Sequence, residues 1–287
     1  MTIKTILLPI RESSTADSLM QTAISMAIRN NAHLDLLYVQ NDPQHLIPFA
    51  SLGVSASMRK SIIESASAAS IQQGNDLKQR FITFCEKHQM KVQPRGTDPG
   101  KPSADFLNRQ GARDELVGIY GRLADLIIVP QPLSATPPPS SIEAALRESG
   151  RPVLMVPREK VLDTAGKRLA IGWNCSKEAA QAISSVRSNL QRAEKVFVLC
   201  SEKRMQQPLN ADDVCIYLRC HGISAETAVF STAKLSVGEA VLAKAKEHNC
   251  DRLVVGGYSR SKLRNVIMGG VTGHLMEHSD IPVLMVH

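Results

Sequence analysis

Residues 124–129 read ADLIIV and residues 250–255 read CDRLVV; residues 152–156 read PVLMV, and residues 282–286 read PVLMV again. Working outward, the openings of the two halves also match in kind. Ile6-Leu7-Leu8-Pro9-Ile10-Arg11 stands against Leu169-Ala170-Ile171-Gly172-Trp173-Asn174, each an apolar run that ends in a polar turn. An Ala-rich amphipathic segment follows each, SLMQTAISMAIRNN at 18–31 and KEAAQAISSVRSNLQR at 177–192. A second apolar run comes next, Leu34–Val39 in one half and Val196–Cys200 in the other. The chain is therefore two copies of one unit.

Runs such as IIV and PVLMV are apolar at every position, as suits strands of a parallel sheet covered on both faces. Their alternation with helix-length segments reads as a doubly wound α/β sandwich with right-handed crossovers. The second copy traces as strand 169–173, helix 176–191, strand 195–200, helix 210–221 and strand 225–229. Helix 236–248, strand 252–256, helix 271–278 and strand 282–286 complete it, so five parallel strands are expected per copy. The offset between copies is 163 residues at Arg11/Asn174 but 130 at Pro152/Pro282, so the first copy carries 33 extra residues. Most fall between Val39 and a helix near 76–88, and the segment 42–75 reads as a loop plus an extra helix. Its apolar stretch Leu46-Ile47-Pro48-Phe49 needs cover, over the first copy's cleft or in an oligomer contact. The charged segment 157–168 reads as the linker between domains 1–157 and 168–287.

Composition narrows the function. Hydrophobic residues are 43% and charged residues 21% of 287, which excludes disorder, collagen-like repeats and coiled coil. No apolar run approaches the roughly 18 residues a membrane span needs. The N-terminal MTIKTILLPIRES reads as a strand rather than a signal peptide. The net charge of +7 is spread thinly, with no Lys/Arg run longer than two, so it reads as a solvated surface rather than a nucleic-acid face. Six cysteines without CxxC spacing (Cys85, Cys175, Cys200, Cys215, Cys220 and Cys250) read as reduced thiols in a cytoplasmic protein.

In an open parallel sheet, ligands bind beyond the carboxyl ends of the strands where strand order reverses. There the second copy carries Gly256-Gly257-Tyr258-Ser259-Arg260, then Gly269-Gly270-Val271-Thr272 opening the last helix. A glycine-rich turn at a helix N-terminus leaves N–H groups aimed at an anion, and Arg260, Lys262 and Arg264 add positive charge. The plainer reading of the glycines is tight turns.

These residues, with GWNCSKEAAQAI, SVGEAVLAKAKEHNCDRLVVGGY and SKLRNVIMGGVTGHLMEHSDIPVLMVH, resemble the universal stress proteins in their tandem form. The likeness spans nearly the whole chain and is strongest over 168–287. It implies an adenine nucleotide alpha-hydrolase-like fold and an intramolecular pseudo-dimer in which the two PVLMV strands pair. It also implies a cytoplasmic stress-response binding protein. The family's fingerprint (Gly, two residues, Gly, nine residues, Gly, Ser/Thr) maps to Gly256, Ser259, Gly269 and Gly270. The resemblance thus implies ATP, with Mg, on the backbone of Gly256, Gly257, Gly269, Gly270 and Val271. Ser259, Arg260 and Thr272 would lie nearby, and Asn174 and Cys200 would border the base. Three departures weaken that site: Ser259 fills a glycine position, Gly270 replaces a hydroxyl, and Asn174 replaces an acid. In the first copy Arg11 stands at the acid's position. VPQPLSATPPP at 129–139 replaces the glycine loop, and prolines lack the N–H that phosphate needs.

Other motifs are weaker. His274-Leu275-Met276-Glu277-His278 matches H-x-x-E-H, but a zinc hydrolase also needs a third ligand and an open position. Those histidines read instead as a polar helix face. Cys215, Cys220 and His221 lack paired ligand spacing. Trp173 is the one tryptophan, at a strand end facing the cleft, either packing there or lining a ligand pocket. No nucleophile, base and orienter stand together, so no catalytic or metal residue is assigned and an enzyme reading is unsupported. The alternatives to a nucleotide-binding regulator are a ligand-free scaffold presenting 42–75 to a protein partner, or a weak ATPase or autophosphorylating protein. A further homodimer is compatible with any of them.

Overall fold

The computed structural model describes residues 2–11, 15–40, 56–133, 140–158, 166–257 and 270–287. In the first half β1 (Thr5–Ile10), α1 (Ala16–Asn30) and β2 (His33–Gln40) lead to the long helix α2 (Ala56–Lys87). The two-residue β3 (Lys91–Val92) follows, then β4 (Ser103–Gln110), α3 (Arg113–Gly121), β5 (Leu126–Pro130), α4 (Ser140–Glu148) and β6 (Val153–Val156). The second half runs β7 (Arg168–Gly172), α5 (Lys177–Arg192), β8 (Lys195–Ser201), the short α6 (Glu202–Met205) and α7 (Ala211–Cys220). It ends with β9 (Glu226–Phe230), α8 (Val237–Glu247), β10 (Arg252–Gly256), α9 (Gly270–His278) and β11 (Val283–Val286).

The eleven strands among the described residues join in one sheet, ordered β3-β4-β2-β1-β5-β6-β11-β10-β7-β8-β9. Each half is parallel within itself, and the halves meet where β6 and β11 pair antiparallel. The register centres on Leu154↔Leu284, with Val283↔Met155 and Met285↔Val153 on either side. Two copies of PVLMV thus meet as a self-complementary pair, and each covers the other's open sheet edge.

The apolar-throughout strands are explained by two core layers. Ile6, Leu8 and Ile10 of β1 enter the layer under α1, α2, α5 and α7, and Leu7 enters the layer under α3, α4, α8 and α9. In β10, Val254 faces the first layer and Leu253 and Val255 the second. The repeated aspartate also has a physical role. Asp125 Oδ2 accepts the backbone N–H groups of Lys4 (2.7 Å) and Thr5 (3.0 Å). Asp251 accepts those of Lys167 (2.8 Å) and Arg168 (3.3 Å). Each carboxylate anchors the start of its copy's first strand.

Two expectations are corrected. The extra helix expected within 42–75 is not separate from the helix near 76–88, because residues 56–87 form one helix. Gly74 does not break it, since it gives room to Tyr38: a Cβ at Gly74 would lie 2.7 Å from the Tyr38 ring. The Tyr38 hydroxyl donates to the Ser70 carbonyl (2.9 Å), holding α2 to the end of β2. The first half also has a sixth, two-residue strand, β3, at its outer edge. Residues 42–55, with Leu46–Phe49, and the linker residues 159–165 lie outside the described residues.

Candidate functional site

In the second half the strand order reverses at β7, which has β8 on one side and β10 on the other. Asn174 stands just past β7, half-buried, and its Oδ1 accepts the Ser176 N–H (3.1 Å). Ser176 in turn caps α5 by accepting the Ala179 N–H (3.1 Å). The Asn174 side chain therefore shapes the turn that starts α5. Cys200 is buried at the end of β8, and burial raises its thiol pKa.

At the end of β10, Gly256 lies beneath the first turn of α5. A Cβ there would sit 2.6 Å from the Ala179 nitrogen and 2.7 Å from the Glu178 carbonyl carbon. This glycine permits close helix–strand approach, a demand that is independent of any ligand. The Gly257 N–H donates to the Val286 carbonyl (2.7 Å), as the Gln131 N–H does to Val156 (2.8 Å) in the first half. That N–H is spent on the sheet and is not free for phosphate. Glu178, buried beside Gly256, pairs with the Lys177 ammonium (3.6 Å) and brings a carboxylate to this end of the cleft. Sequence reading missed it, since a single glutamate in a helix's first turn reads as dipole decoration.

Gly270 opens α9, exposed and with no atom of the described residues within 4 Å of an added Cβ. Val271 is half-buried and Thr272 buried. The first-turn N–H groups of α9 are left without helical partners, as in any helix. Ser259, Arg260 and Gly269, with Lys262 and Arg264, lie outside the described residues.

Trp173 lines a cavity of about 300 Å³ between α5 and α7, beside this crevice. Its indole N–H donates to the Leu209 carbonyl (2.7 Å), and the Cys175 thiol approaches the Pro208 carbonyl (3.8 Å). The two loops so joined hold Cys175 at φ 61° and Leu209 at φ 56°. The other described non-glycine residues with positive φ, Asn31, Gln89 and Asn249, each follow the end of a helix, where the left-handed conformation is ordinary. For a leucine that conformation costs roughly 1 kcal/mol or more. Nothing in the sequence pattern marks Leu209 or Tyr217 as part of a site.

The first half's cleft is bridged by protein. Arg113 reaches from α3 to donate to the Ile10 carbonyl at the end of β1 (2.9 Å) and to Ser141 Oγ in the first turn of α4 (3.2 Å). Ser141 Oγ–H donates to Asp114 (3.0 Å). Burial, and then Arg11, lower the Arg113 pKa to about 10.

The residues of the remaining motifs pack against protein. The His274 and His278 rings stack at 4.3 Å, and Gly238 of α8 packs against His274, where a Cβ would lie 2.7 Å away. Cys215 is buried against the Thr227 hydroxyl, and His221 packs edge-on against Tyr217. No group of three or more metal-binding side chains occurs among the described residues. One Ser-His-Asp set does: His33 Nδ1 meets Ser103 Oγ (2.8 Å) and Nε2 meets Asp35 Oδ1 (3.1 Å). It lies at the amino ends of β2 and β4, with Ser103 only 4% exposed and Asp35 also held by Arg95. A buried serine at that end of the sheet offers no surface to a substrate.

Residues 178–287 match the model of the Universal stress protein family. No curated protein matches the chain in sequence. A universal stress protein from Archaeoglobus fulgidus aligns over 98% of this chain and 95% of its own, with TM-score 0.70 and 15% identity. A functionally unknown protein from Pseudomonas aeruginosa aligns over 99% and 92%, with TM-score 0.57 and 14% identity. No described helix is long and apolar enough to cross a membrane. Residues 178–287 thus match a universal stress protein domain, and the chain as a whole shares the fold of the Archaeoglobus universal stress protein.

Proposed function

We propose that the chain is a non-catalytic, cytoplasmic stress-response regulator that binds an adenine nucleotide weakly in its second half. The observation that carries this reading is the reversal of strand order at β7, with Gly270 exposed where it opens α9. Asn174 and the end of β8 at Cys200 border the base, and the first-turn N–H groups of α9 hold the phosphates. Ser259, Arg260, Gly269, Val271 and Thr272 complete the surroundings that the family likeness implies, and ATP with Mg is the form it favours. The residues fit the nucleoside end better than the triphosphate end, because the Gly257 N–H is engaged and the Glu178 carboxylate stands nearby.

Each lost fingerprint group removes about 1 kcal/mol, taking a neutral hydrogen bond as the unit. Three such losses weaken affinity by about two orders of magnitude. Calorimetry of the full chain with ATP and Mg²⁺ tests the reading: N174D/S259G/G270S is expected to bind about a hundredfold more tightly than the unmodified chain. Tight binding by the unmodified chain, or no gain in the triple variant, would refute it. A second reading, a ligand-free scaffold, is favoured by the engagement of Gly256 and Gly257 with protein atoms. On that reading Met58, Ile62 and Ile71, all exposed on α2, belong to the partner surface, and neither chain takes up nucleotide.

A further inference from the structure

The cavity between α5 and α7 is separate from the crevice at the strand ends. None of Asn174, Cys200, Gly256, Gly257, Gly270, Val271 or Thr272 lines it. Its size, about 300 Å³, is at the lower end of the range that holds small molecules. Trp173 and Tyr217 offer two aromatic walls, Ile183 and Val214 an apolar floor, and Leu209 its rim. Leu209 is 63% exposed in a left-handed conformation, an arrangement that leaves a large apolar side chain in water at the mouth. Asp213 is the one charged residue of the lining among the described residues. One of its oxygens accepts the Asn210 N–H (2.9 Å) in the cap of α7. The carboxylate stands at the cavity edge, with Asp212 beside it in the same helical turn.

We propose that this cavity is a second binding site, for a small aromatic cation whose ring lies against Trp173 and Tyr217 and whose ammonium group faces Asp213. Flat apolar walls suit a ring, and ring faces and a carboxylate both favour a cation over an anion. A nucleoside phosphate has the wrong charge for this edge.

Trp173 is the single tryptophan, so its emission reports on the cavity directly. The full chain is titrated with phenethylamine as the probe, and with phenylacetate as a control of similar shape and opposite charge. The amine is expected to change the emission saturably, with a midpoint roughly tenfold lower than the acid, the scale of one favourable against one unfavourable exposed charge contact. Saturating ATP leaves the amine midpoint unchanged. A180F fills the cavity from the exposed face of α5 and abolishes the response; Y217A, which removes an exposed ring, weakens it several-fold. Circular dichroism identifies any variant that fails to fold, and the other then decides. Equal responses to amine and acid, no saturable response, or displacement of the amine by ATP would each overturn the proposal. Nucleotide binding in the crevice is scored separately by calorimetry, so either site can fail without the other.

Discussion

Gly256 shows how one residue serves the fold while looking like a ligand-binding glycine. Read in sequence, it begins a phosphate fingerprint; in the fold, backbone atoms of α5 occupy the space a side chain would need. The two demands select the same residue, so sequence alone cannot separate them. His33 is a residue whose setting was not legible in advance, because the residues facing it come from register between distant strands (His33↔Ser103) and not from a motif. Burial first, and then the positive charge of Arg95, lower its pKa from 6.5 to about 4, against an opposing pull from Asp105. The folded chain therefore resists a proton that the unfolded chain accepts between pH 6.5 and 4. Stability is full above pH 6.5 and falls as pH drops through that window, by about 3 kcal/mol at its lower end. Urea denaturation at pH 7 and pH 5 checks this: H33Q is expected to lose roughly 2 kcal/mol less than the unmodified chain between the two. An identical loss in both would contradict it.

At the scale of elements, α7 and α8 of the second half were legible because their ends are marked, whereas the four-residue α6 was not. Ser236 and Glu239 form a capping box on α8, and Asn210 and Asp213 form one on α7. In α2 the pattern misleads. Gly74 and the Ala/Ser-rich run before it suggest a break, yet the helix continues for 32 residues. What decides is Tyr38, a residue of β2 far away in sequence, whose ring lies against Gly74 and whose hydroxyl reaches Ser70. Replacing a helical glycine with alanine ordinarily gains about 1 kcal/mol. Here the new Cβ would meet a buried ring at 2.7 Å, and a tyrosine ring cannot yield as a flexible chain end can. G74A is expected to destabilise the chain by about 1–3 kcal/mol, reversing the usual sign. A thermal melt checks it, and a raised midpoint would show that the ring moves freely.

For the whole molecule, the identical PVLMV segments carry the argument. A strand apolar at every position needs cover on both faces and pairing on both edges, and each copy has one edge its own strands leave open. Two identical segments supply that pairing for one another in antiparallel register, centred on Leu154↔Leu284. The repeat was therefore legible from a pentapeptide, whereas the single continuous sheet required the pairing itself. Beyond the sheet, the Gln131 amide donates to the Ser279 carbonyl (3.1 Å), tying the first half to the second. The halves are thus held together by sheet and core as well as by the linker. It follows that cutting the chain within 159–165 leaves a one-to-one complex of the fragments, measured by size-exclusion chromatography with light scattering. Combining the cut with L284D places a carboxylate where a leucine is 4% exposed, at a cost of several kcal/mol. That variant is expected to separate into its fragments, whereas the cut chain with Leu284 intact stays together. Separation of the cut chain without the substitution would show that the linker, rather than the strand pair, holds the molecule as one.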